Sequence, residues 1–111
     1  MSKCYMCVIY IKENGKINVL KIPKTIKYMK KLVEGDIEIK RYEKVLIVYN
    51  INQDDSNLKT NNISESLKLK GNIIIVGNDE KIGDIRSLTR KEIAKYINNF
   101  LNKNNIKERE E

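Results

Sequence analysis

Val8-Ile9-Tyr10-Ile11-Lys12-Glu13-Asn14-Gly15-Lys16-Ile17-Asn18-Val19-Leu20-Lys21-Ile22 decides the fold class of this chain. Apolar and β-branched residues flank an Asn-Gly pair, and that pair favours the positive φ angles of a type I′ turn. The stretch predicts a β-hairpin and commits the chain to antiparallel pairing. Pro23 ends the second strand. Thr25 then caps a predicted helix over 26–34, with Ile26, Met29, Leu32 and Val33 on one stripe and Gly35 as its stop. Strands are expected near 36–42 and 45–51, joined tightly around Glu43.

Beyond Ile51 the chain turns polar. Residues 52–71 form a loop rich in Asn, Asp, Ser and Lys, with isolated Leu58, Ile63, Leu67 and Leu69. A connection of that length is functional or mobile in most compact domains. A fifth strand runs through 72–76 and stops at Gly77. Thr89-Arg90-Lys91-Glu92 has capping-box spacing with Leu88 as a staple, and the helix it opens carries Ile93, Ile97, Phe100 and Leu101 on one face. The tail at 104–111 is nearly all polar and is expected to fray. The result is a single α+β domain over 1–111, a mostly antiparallel sheet in β-β-α-β-β-β-α order with both helices covering one face as a two-layer sandwich.

Composition limits the chemistry. The chain of 111 residues has 22 Lys and Arg, 15 Asp and Glu, a net charge of +7 and no histidine. Histidine is the usual proton shuttle near neutral pH and the commonest metal ligand. An enzyme here would have to work with Tyr, Lys or carboxylates, so a binding protein is expected, with no cofactor and no metal. The positive charge points to an anionic partner, although a Lys-, Asn- and Ile-rich composition also fits an AT-rich genome. No apolar run approaches the about 20 residues of a membrane span. The N-terminus has no leader pattern, which predicts a cytoplasmic protein with reduced cysteines.

Three motifs reduce to structure. Cys4-Tyr5-Met6-Cys7 is a C-x-x-C at the start of a strand, where residues three apart face opposite ways, and no second pair of ligands exists for zinc. Gly77 to Asp84 has two glycines but neither the spacing nor the Lys-Ser/Thr of a phosphate loop, so it is read as a turn. Asp54 to Glu65 has the length of a calcium loop, but Leu58 and Lys59 occupy positions that need an oxygen ligand and a glycine.

One feature suggests binding. Lys24, Lys27, Lys30 and Lys31 cluster on the first helix, and Lys40, Arg41 and Lys44 sit at the next hairpin tip, with Tyr28 and Tyr42 among them. Cations interleaved with aromatic rings suit phosphate contacts and base stacking. A solvated lysine face is the simpler reading, and Glu34, Glu38 and Glu43 dilute the patch. Open sheet edges, with unpaired N–H and C=O groups, predict a homodimer.

Met29-Lys30-Lys31-Leu32-Val33-Glu34-Gly35-Asp36-Ile37-Glu38, followed by an apolar strand ending in Asn50, resembles the "L-Q-K-L-V-G-G-x-I-E … N" core of domain-of-unknown-function family 3846. Gly71 through Gly77, then Ser87-Leu88-Thr89 and Glu92-Ile93, resembles its "G-x-x-x-x-x-G … S-L-T-x-x-x-I" ending. The likeness spans about residues 17–98. Ile51 and the loop 52–63 replace the family's Glu, Gly-Lys and Gly-Leu-Pro-x-Asn-Arg stretch, leaving Asn50 and Asn62 as the matching polar residues. The resemblance implies a small protein of phages, plasmids and integrated elements, often encoded beside antirestriction genes. The expected function is therefore counter-defence by binding: inhibiting a host nucleic-acid-handling defence protein or sequestering its nucleotide signal. The alternative is a double-stranded DNA-binding regulator or plasmid-transfer accessory that uses the basic helix or the 36–51 ribbon.

Overall fold

The structure is a computed structural model that describes residues 4–55, 57–61 and 68–109, with side chains of the last helix as far as Asn99. Its elements are β1 (Tyr5–Ile11), β2 (Ile17–Pro23), α1 (Ile26–Val33), β3 (Ile37–Tyr42), β4 (Val45–Asn50), β5 (Ile73–Asp79), β6 (Asp84–Arg86) and α2 (Arg90–Arg109). The α+β class and the element order agree with the sequence, and every strand pairing is antiparallel. The sheet runs β2-β1-β5-β4-β3, with β6 pairing the far end of β5.

The two helices do not share a face. Met29 and Val33 of α1 pack on Met6, Val8, Tyr10, Val48, Ile74 and Val76. Tyr96 of α2, with Ile93 and Ile97, packs on Ile9, Ile11, Val45, Ile47, Ile73 and Ile75. The expected two-layer sandwich is therefore three layers, with one helix on each side. The cause lies in the central strands: Ile73-Ile74-Ile75-Val76 is fully buried at every position, and both of its faces need cover.

Local chemistry differs from expectation at three places. Only Gly15 of the Asn-Gly pair takes a positive φ, 92°. Gly15 N–H donates to Lys12 O and Lys12 N–H to Lys16 O, so the hairpin closes with a turn followed by a glycine bulge, not a type I′ turn. At the end of α1 the left-handed residue is Glu34 (φ 62°), one position before the expected stop at Gly35. The polar loop after β5 holds β6, whose residues pair Gly77–Asp79. Phe100 and Leu101 lie outside the described side chains.

The caps match the sequence. Thr25 Oγ1 accepts from Tyr28 N–H at the start of α1. At α2, Thr89 N–H donates to Glu92 Oε1 and Glu92 N–H to Thr89 Oγ1, a reciprocal capping box. No described helix is long and apolar enough to cross a membrane.

Candidate functional site

The basic residues that sequence proximity groups together are divided by the sheet. β3 alternates sides, so Ile37, Ile39 and Arg41 follow Leu46 and Val48 onto the α1 face, and Glu38, Lys40 and Tyr42 turn to the α2 face. Tyr42 is half-buried against Tyr96, with ring centroids 6.2 Å apart, and offers no stacking surface. Arg41 is held by Glu80 at 2.8 Å and by its Nε donating to Glu43 O. Lys24 precedes the helix and pairs with Asp84 at 2.9 Å. Lys44 lines a separate, mixed-charge hollow with Asp79, Glu80, Lys81, Arg86 and Glu92.

Four of the nine expected residues stay together. Lys27, Tyr28, Lys30 and Lys31 line an open groove of about 740 Å³ with Thr25, Gly35, Asp36 and Asn52. Lys31 Nζ stands 5.9 Å from the Tyr28 ring centroid, and Lys30 pairs with Asp36 at 3.2 Å. Lys27 and Lys31 are exposed and in no ion pair among the described residues. Thr25, Gly35 and Asp36 were foreseen only as a cap, a helix stop and part of the family motif, not as groove residues, and no sequence signal marked Asn52. They meet the lysines only because α1 folds back over the end of β4.

Asn50, the motif asparagine, fixes that fold-back. It is buried, and its Nδ2 donates to Val33 O at 3.2 Å and Glu34 O at 3.4 Å, satisfying carbonyls that the end of α1 leaves open. Its Oδ1 accepts from Asn52 N–H at 2.8 Å, which turns the chain out of β4 beneath the groove. A Cβ on Gly35 would stand 2.6 Å from Asn50 Nδ2, so the glycine is needed for the close approach. Asn50 is thus a structural positioner of the groove wall. Asn62, the other family-matching polar residue, lies outside the described residues.

A second buried amide was missed. Asn61 is fully buried, and its Nδ2 donates to Ile11 O, Lys12 O and Gly71 O. Gln53 bridges Asn50 O and Lys70, donating to both carbonyls and accepting from Lys70 N–H. The 52–71 loop is therefore pinned at Gln53 and Asn61 to the ends of β4 and β1. One asparagine in so Asn-rich a loop gives no sequence sign of burial.

Among the described residues two groups have strongly displaced protonation, and both are tied into packing. The Arg86 guanidinium grips Glu92 through two bonds of 2.8 and 2.9 Å and holds its carboxyl down at about 2. Burial, then the neighbouring Glu43 carboxylate, pushes Tyr96 up to about 12. Cys4 and Cys7 are free thiols, the first exposed and the second half-buried, and Cys7 N–H donates to Ser87 Oγ. The described residues contain no cluster of three or more metal-ligating side chains.

No curated protein and no solved structure matches the chain. The family model for Domain of unknown function (DUF3846) matches residues 6–101, and the chain belongs to that family.

Proposed function

We propose that this protein is a non-enzymatic accessory protein of a mobile element that acts by binding, and that it counters a host defence system through the α1 groove. The observation that carries the reading is the groove itself. Lys27 and Lys31, in no ion pair among the described residues, line it with the half-buried Tyr28 ring, which Lys31 Nζ approaches to 5.9 Å, and Thr25 and Asn52 line the same groove. Two cations and an aromatic ring in one groove suit a phosphate-bearing nucleotide, such as a defence signal, or an acidic loop of a defence protein. The binding reading is supported by the missing histidine and by Glu92 and Tyr96, whose protonation is displaced away from neutral pH. The mobile-element part rests on the family resemblance alone.

Double-stranded DNA binding is the second reading. The net charge of +7 favours it. The division of the basic residues between two faces weighs against it, because specific DNA complexes make roughly 6–10 phosphate contacts over one surface. Calorimetric titration with mono-, di- and cyclic nucleotides, together with phage and plasmid challenge of cells expressing the protein, tests the first reading. Binding and protection that both vanish in Lys27→Glu/Lys31→Glu support it. Protein that binds no nucleotide, retains no defence component and gives no protection overturns it. A mobility shift whose log–log salt slope is near −0.9 per phosphate would favour DNA instead.

A further inference from the structure

Among the described residues the sheet has two open edges, on β2 and on β3, and they are unlike. On β2, Lys12 N–H donates to Lys16 O and Lys24 N–H to Cys4 O, which turns the even-numbered residues toward β1 and Ile17, Val19, Lys21 and Pro23 outward. That outward row ends in a proline without an N–H and contains no carboxylate, a blunted edge. On β3, Asp36 O accepts from Ile51 N–H at 2.9 Å, extending the Ile37↔Asn50 register by one pair. The even-numbered residues therefore face β4. Ile37, Ile39 and Arg41 turn their N–H and C=O groups to the open side.

We propose that β3 is the seat of a two-fold homodimer in which Ile39 pairs with Ile39 of the second copy, joining two sheets into one. A two-fold axis normal to the sheet keeps like faces together, so opposed residues must sum to an even number. Centring on Ile39 sets Glu38 against Lys40 of the second copy, twice, on the α2 face. It sets Ile37 against the aliphatic stem of Arg41 on the α1 face. Shifting the centre to Glu38 or to Lys40 would oppose two carboxylates or two ammonium groups, and directly opposed like charges destabilise a sheet. The Ile39 register alone is complementary in charge, and it meets the outward-pointing backbone groups as hydrogen-bonded pairs.

The side chains at this edge also lack cover. Ile39 is 41% exposed and Ile26 60% exposed, and with Ile37, Met29 and Leu46 they line an apolar groove of about 380 Å³ along the same border. Ile39 of a second copy would lie on that groove. The same operator places both α1 helices on one side, with Lys27 and Lys31 of each chain forming a single basic face. The dimer stands on the β3 edge and does not depend on the proposed function.

Light scattering across a dilution series tests the register. The wild type is expected at twice 13.0 kDa at micromolar concentration. Ile39→Pro removes an outward N–H that β4 does not use, a tolerated change on an edge strand, and should give the monomer. Lys40→Glu should weaken dimerisation roughly tenfold or more. The exchange Glu38→Lys/Lys40→Glu restores opposite charges and should recover the dimer, with circular dichroism reporting any fold loss from the broken Tyr49–Glu38 bond. A wild type that stays at 13.0 kDa overturns the proposal. So does a dimer indifferent to Ile39→Pro and Lys40→Glu, or a folded exchange variant that remains monomeric.

Discussion

On one side of the sheet α1 lies on aliphatic side chains and is tied at its C-terminal end, where Asn50 reaches up to Val33 O and Glu34 O. On the other side α2 is tied at its N-terminal end, by the Thr89–Glu92 box and the Arg86 clamp. It is seated by one large ring, Tyr96, whose hydroxyl donates to Glu43 at 3.1 Å. The short helix is tied through its own last carbonyls to one side chain beneath it, and the long helix through its Glu92 and Tyr96 side chains to Arg86, Thr89 and Glu43. The face that carries the basic groove is thus the one held by a buried amide, which does not titrate. The opposite face is held by groups whose charge state matters.

Tyr96→Ala breaks the α2 side and should have the largest effect. Removing a buried aromatic costs about 3–5 kcal/mol, read as a fall in denaturation midpoint. Hydrogen exchange should then show α2 amides opening while those of α1 stay protected. Asn50→Ala attacks the α1 side by leaving carbonyls of its last turn without a donor, at about 1–3 kcal/mol. It should also displace Lys30 and Lys31 and so weaken any ligand bound in the groove, which binding at matched fold stability would check.

Glu92 sharpens the contrast through pH. Its carboxyl falls from 4.5 to about 2 on folding because Arg86 bonds the charged form. A depressed folded value stabilises fully above the unfolded one, and the contribution disappears as pH falls from about 4.5 toward 2. Glu92→Gln should cost about 1 kcal/mol at neutral pH, discounted for the partly exposed Arg86, and flatten that acid limb. Melting temperatures across that window, compared with wild type, measure it. The smallest expected change is a gain: Glu34→Gly relieves a left-handed conformation at φ 62° and should raise stability by about 0.5–1 kcal/mol in a denaturant titration.

Local features were legible in the sequence, and those set by distant contacts were not. The hairpin, the Thr25 cap and the Thr89–Glu92 box each depend on residues within a few positions of one another. The placement of helices on opposite faces was encoded in Ile73–Val76, where four consecutive apolar residues leave no solvent face. Strand β6 has only three residues, two of them charged, and exists through pairing with Gly77–Asp79. The basic cluster failed on parity: Lys40 and Arg41 are neighbours in the chain, yet a pleated strand sends them to opposite sides. Asn50 stood out by its position in the family motif. Asn61 had no such marker.

The Gly35–Asn50 contact makes the two positions contingent on each other. A side chain cannot be gained at Gly35 while the Asn50 amide occupies the space 2.6 Å from where its Cβ would stand. Asn50 cannot shrink without leaving α1 carbonyls unsatisfied. A mutational route that replaces both Gly35 and Asn50 one at a time passes through a less stable intermediate, whichever of the two changes first. The tilt of α1, and with it the spacing of Lys27 and Lys31, is therefore insulated from single-step drift at either of the two positions.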